Sequence, residues 1–183
     1  PGQTGGSKPG QIRNASDIAV ADTGAIYVFE QKNDEGVDGV ELNFRVQKFD
    51  SSGSFSSMWG GEVNKTKSAE IGTTEAERNR CTKADMEAGD VCGAGVPACT
   101  RVELEGGKTC GVDVPPPGEG QFRDPGSRFA IAGGGMAIGP EGSIFVADVN
   151  RIQAFDANGA FLGETAMPGW RLSGLAMDLD GNF

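Results

Sequence analysis

Apolar and polar residues alternate along this chain in short runs broken by glycine-bearing turns, a period that predicts strands with one buried face. The run Asp17-Ile-Ala-Val20 leads through Asp22-Thr-Gly24 into Ile26-Tyr-Val-Phe29. The chain resumes at Arg45-Val-Gln-Lys-Phe49-Asp50, with the turn Ser51-Ser-Gly53 and Phe55 after it. The same phrase returns as Gly135-Met-Ala-Ile138, Pro140-Glu-Gly142, Ile144-Phe-Val-Ala-Asp148, Arg151-Ile-Gln-Ala-Phe155-Asp156, Ala157-Asn-Gly159 and Phe161. It opens a third time at Gly174-Leu-Ala-Met177, with Asp180-Gly181 as its turn. Gly142 and Gly181 stand 39 residues apart, the length of one four-stranded propeller blade. Phe49, Phe55, Phe155 and Phe161 recur at matched places and are expected in the core.

Read in order, these elements resemble the NHL repeat: an I-A-V-D strand, a D-x-x-G-N turn, a V-Y-V-A-D strand, then R-[IV]-Q-x-F and a D-x-x-G-x-F turn. The resemblance covers residues 17–55 and 135–161, and 174–183 in part. The first copy departs from it, with Phe29-Glu30 where A-D is usual and with Gln31 to Phe44 inserted before its third strand. The fold it implies is all-β: part of an NHL-type β-propeller, about two blades plus the start of a third, with a long cysteine-bearing insertion. The blades are expected at 11–60, with a loop at 31–44, and at 122–173, with the next beginning at 174–183. A propeller of this type closes with about four to eight blades, so the sequence reads as part of a longer protein.

Between the copies, residues 61–121 hold few large apolar side chains and are expected to be irregular. All four cysteines lie there, Cys81, Cys92, Cys99 and Cys110, at separations of 11, 7 and 11. The spacing favours two local disulfides, Cys81 with Cys92 and Cys99 with Cys110, although four cysteines permit three connectivities. Structural zinc sites use close cysteine pairs or histidines, and the chain has neither. Disulfides belong to oxidising compartments. The segments Trp59 to Asn64, Thr74 to Cys81, Asp90 to Cys92 and Pro117 to Phe122 also resemble long secreted or surface NHL proteins of actinobacteria, in which a cysteine-bearing excursion interrupts a blade.

Charge and composition narrow the function. With 26 acidic against 16 basic residues and a net charge of −10, the chain repels nucleic-acid phosphates and anionic lipid. No run is suited to membrane insertion. With no histidine, the commonest general base and metal ligand is missing. Asp148, Asp156, Asp178 and Asp180 are the carboxylates open to acid–base work, but Asp156 and Asp180 stand in turns, where such side chains cap their own backbone. Asp178, Asp180 and Asn182 superficially match the start of an oxygen-ligand loop for calcium, the only cofactor the sequence brings forward. Asn14-Ala-Ser16 and Asn64-Lys-Thr66 match the glycosylation sequon.

These features predict a non-catalytic extracellular or cell-surface module that presents loops to a protein or glycan, with Trp59 and Trp170 as candidate recognition residues on an exposed rim. The same features allow two alternatives. The segment could belong to a secreted hydrolase or lyase with its active site elsewhere, or to a surface protein that self-associates through uncovered strand edges.

Overall fold

The computed structural model describes residues 6–30, 43–95, 119–122, 134–148, 150–168, 172–178 and 180–182. Among them, nine strands form two open antiparallel sheets. The first contains β1 (Ala15–Val20), β2 (Ile26–Glu30), β3 (Arg45–Phe49), β4 (Phe55–Trp59) and β5 (Arg80–Thr82), side by side in that order. The second contains β6 (Met136–Ile138), β7 (Ile144–Asp148), β8 (Arg151–Phe155) and β9 (Phe161–Ala166). Three short helices, α1 (Lys65–Ala69), α2 (Glu75–Arg78) and α3 (Lys83–Glu87), flank β5.

The alternation read from the sequence sets the register. In the first sheet Phe29 stands opposite Val46 and Val46 opposite Trp59, which places one apolar row on one face. In the second, Ile144 stands opposite Phe155 and Phe155 opposite Phe161. Tyr27, Phe29, Val46 and Trp59 of the first sheet share a core with Met136, Ile144, Val146 and Phe155 of the second. Phe122 enters the same core, with its ring centroid 5.0 Å from Phe29 and 6.1 Å from Phe155. Burying each such side chain stabilises the fold by about 1.5–3 kcal/mol.

The expected NHL propeller does not form among the described residues. Both sheets are open, neither curls into a ring, and among the described residues the recurrence in sequence does not become an array of blades. Alternation and glycine turns specify neighbouring hairpins, whereas closure depends on how successive sheets are angled and how many there are, which local pattern does not encode. The third phrase forms no strand among its described residues; it forms a turn, in which Gly181 donates its N–H to the carbonyl of Asp178.

Composition predicted an irregular segment after residue 60, yet the described part is ordered into three helices and a strand. Asn64 caps α1 by accepting from the N–H of Lys67. Thr74 and Glu77 cap α2 reciprocally, and Thr82 and Asp85 do the same for α3. β5 adds to the edge of β4, with Cys81 opposite Met58. A second small core joins Met58, Val63, Cys81 and Cys92. The disulfide between Cys81 and Cys92, with Cα atoms 5.8 Å apart, closes this excursion. Cys99 and Cys110 lie outside the described residues, as does the loop expected at 31–44 except for its last two residues, Asn43 and Phe44, which are buried.

The polar members of the alternating strands are buried too. Glu30, Arg45, Gln47, Asp148, Arg151 and Gln153 are at most 3% exposed. Gln47 accepts from the N–H of Gly10 and donates to the carbonyl of Gln11, at 2.9 and 2.8 Å. Gln153 repeats both bonds with Gly120 and Gln121, at 3.1 and 3.0 Å. A Gly-Gln segment is thereby strapped over each sheet, satisfying groups that would be costly to bury alone.

Candidate functional site

Where the excursion meets the second sheet, a cleft of about 360 Å³ opens to solvent. α1 supplies Lys67, α2 supplies Ala76 and Glu77, and Asn79 and Arg80 follow, the latter from β5. The opposite side consists of Phe155 at the end of β8, Gly159 and Ala160 from the next turn, and Phe161 from β9. Glu119 and Gly120 bridge the two sides. The parts are fixed by bonds across the junction: Asn79 Nδ2 donates to the Glu119 carbonyl at 2.7 Å, and Asn79 Oδ1 accepts from the Glu62 N–H at 2.8 Å.

Most polar groups around the cleft are engaged. Lys67 Nζ donates to Glu70 at 3.0 Å, a bond that raises the pKa of its ammonium. Glu77 accepts from the backbone N–H and the hydroxyl of Thr74, both at 2.7 Å, and these bonds hold its carboxyl below the ordinary value. Asp85 accepts from the N–H and hydroxyl of Thr82, each at 2.7 Å. Asn64 Nδ2 donates to Asp90 at 2.8 Å. This same Asn64 is 1% exposed, so the sequon it begins is covered in the folded protein.

The residues singled out in sequence fall elsewhere. Trp59 does not line an exposed rim: it is fully buried, with its ring centroid 6.1 Å from Tyr27 and 5.7 Å from Phe155. The glycine turn after β8 permits this packing. A Cβ on Gly159 would stand 2.4 Å from the indole, and its φ of +82° suits glycine. Trp170 lies outside the described residues.

Asp178, Asp180 and Asn182 come together as a turn. Asp178 Oδ1 accepts from the N–H groups of Asp180 and Asn182 at 3.0 and 2.9 Å, and Oδ2 accepts from Asn182 Nδ2 at 3.0 Å. Bonds from Asn182 hold the Asp178 carboxyl below its ordinary value. Among the described residues, no group of three or more His, Cys, Asp or Glu side chains converges as a metal site would require. Asp148 and Asp156, the remaining candidate carboxylates, are also engaged. Asp148 is buried and paired with Arg151 at 3.1 Å, and Asp156 Oδ1 accepts from the N–H groups of Asn158 and Ala160, both at 2.8 Å.

Sequence reasoning missed the cleft because its walls are distant along the chain. The signals it did contain were Thr-x-x-Glu at 74–77 and Thr-x-x-Asp at 82–85, each the start of a helix. Among the described residues, no helix is long and apolar enough to cross a membrane. No protein-family model matches the chain and no curated protein matches it in sequence, so the resemblance to NHL proteins finds no support there.

Proposed function

We propose that this protein is a binding module of an extracellular or cell-surface setting, not a catalyst, and that its recognition element is the disulfide-closed excursion together with the cleft it forms against the second sheet. The observation that carries this reading is the cleft itself: a concave site of about 360 Å³ whose one wall is a capped, disulfide-closed segment and whose other wall is the turn end of the β8–β9 hairpin. Binding residues are commonly held on loops fixed by a rigid scaffold. The disulfide supports an oxidising location. That Glu77 and Asp85 are occupied with helix caps supports binding over acid–base chemistry.

The test uses peptide and glycan arrays with the intact protein and with the variant Cys81→Ser/Cys92→Ser. Losing a disulfide that closes a loop of this length costs about 2–3 kcal/mol, concentrated in the excursion. Binding should fall in the variant while hydrogen exchange of β6 to β9 stays unchanged. Binding that survives opening of the excursion would place the recognition element elsewhere.

A further inference from the structure

Five charged residues line the cleft, and three are already engaged: Lys67 with Glu70, Glu77 with Thr74 and Asp85 with Thr82. Asn64 and Asn79, which could read a sugar's hydroxyls, each spend both their amide oxygen and their amide nitrogen on the protein. That leaves the side chains of Arg80 and Glu119, both exposed and without a partner among the described residues. They carry opposite charge at a cleft whose accessible apolar surface comes from Ala76, Ala160 and Phe161.

We infer that the cleft takes a short peptide segment of a partner protein, with an acidic side chain for Arg80, a basic one for Glu119 and an apolar residue between them. The inference rests on the binding-module reading and names its ligand. A guanidinium offers a carboxylate a fork of parallel donors, and a carboxylate accepts readily from an ammonium or guanidinium. A neutral saccharide needs an array of uncommitted hydrogen-bonding groups, whereas the neutral side chains here are committed. A nucleic acid would meet a chain of net charge −10. The volume lies at the lower end of ligand sites, about 300–1,000 Å³, which suits a few residues and not a folded domain.

The experiment measures fluorescence anisotropy of capped peptides in four charge classes: acid–apolar–base, acid–apolar–acid, base–apolar–base and uncharged. Wild type should favour the acid–apolar–base class by about ten-fold, the lower end of the scale for one hydrogen bond to a charged group. Arg80→Glu should move the preference to base–apolar–base, and Glu119→Arg should move it to acid–apolar–acid. Both positions are exposed, so an unchanged Tm confirms the fold. Equal binding of all four classes, or reversals that leave the preference in place, would overturn the inference.

Ala76→Trp, on an exposed helix position at the cleft, separates the two levels. If it abolishes binding of peptides that show no charge preference, or of an array glycan, the peptide assignment fails and the binding-module reading stands. If wild type binds no peptide and no glycan, both fail.

Discussion

The two sheets use the same strand phrase and finish it differently. In the first, Glu30 accepts from Arg45 Nε and Gln47 Nε2, each at 2.8 Å, from Asn43 Nδ2 at 3.0 Å and from the Arg13 N–H at 2.7 Å. Arg45 in turn donates to carbonyls of Ser7, Gln11 and Gly93, tying both the N-terminal segment and the excursion to one buried ion pair. In the second sheet, Arg151 bridges Asp148 inside and Glu164 at the surface, the latter 45% exposed, and also donates to Gln121. The outer strand differs as well. β4 is covered by β5 and the disulfide, whereas β9 ends the second sheet with Leu162 60% exposed. The same local phrase thus ends in an outer strand extended by β5 in the first sheet and, among the described residues, in β9 as the outer strand of the second.

Removing the acid from each pair should break this comparison most strongly. Glu30→Gln leaves the buried Arg45 guanidinium without its counter-charge and sets an amide NH2 against the Asn43 and Gln47 donors, and should destabilise the protein by about 3–5 kcal/mol, read by urea denaturation. Asp148→Asn leaves Arg151 its bridge to Glu164 and should cost about 1–3 kcal/mol. Equal losses would mean that the denser network around Glu30 adds nothing.

The turns give a second contrast. Gly159→Ala must add a Cβ 2.4 Å from the Trp59 ring at a φ of +82°, and should cost about 3 kcal/mol, counting overpacking with backbone strain. Gly53, at the matching turn of the first sheet, has a φ of +80° and open space around it, so Gly53→Ala should cost only the backbone penalty, about 1–2 kcal/mol. Thermal unfolding of the pair, with near-ultraviolet dichroism to follow the tryptophan environment, distinguishes them.

The smallest effect concerns pH. The Ser52 hydroxyl and the Ser54 N–H hold the Asp50 carboxyl below its ordinary 3.8. A carboxyl lowered on folding contributes stability that is fully present above the unfolded value and is lost as pH falls through the folded one. The stability difference between wild type and Asp50→Ala should therefore be constant above 3.8 and shrink at lower pH. A difference that persists unchanged through the acid range would show that the carboxylate's charge is irrelevant to the turn.

Much of this local structure was legible. β2, β3, β7 and β8 lie where alternation placed them, and Asp156 bonds its own turn as such residues commonly do, whereas in the last turn Asp178 and not Asp180 is the acceptor. The burial of Arg45, Gln47, Arg151 and Gln153 was not legible, because a polar residue at alternate positions reads as a solvent-facing side chain until a Gly-Gln segment is seen to cover it. Trp59 misled for a related reason. Standing beside glycines at a strand end, it looked like a rim residue, and contacts distant in sequence, with Tyr27, Phe155 and Gly159, enclose it.

The sequence by itself determined the strands of the two complete phrases, their hairpin turns, the net acidity and a local spacing compatible with the Cys81–Cys92 bond, since each depends on neighbours within a few residues or on summed charge. Tertiary structure decided that the sheets stay open, that the polar strand positions are buried, and that Arg80 and Glu119 meet at one cleft. Those outcomes depend on which distant surfaces come into contact, and a period of two along the chain carries no information about them.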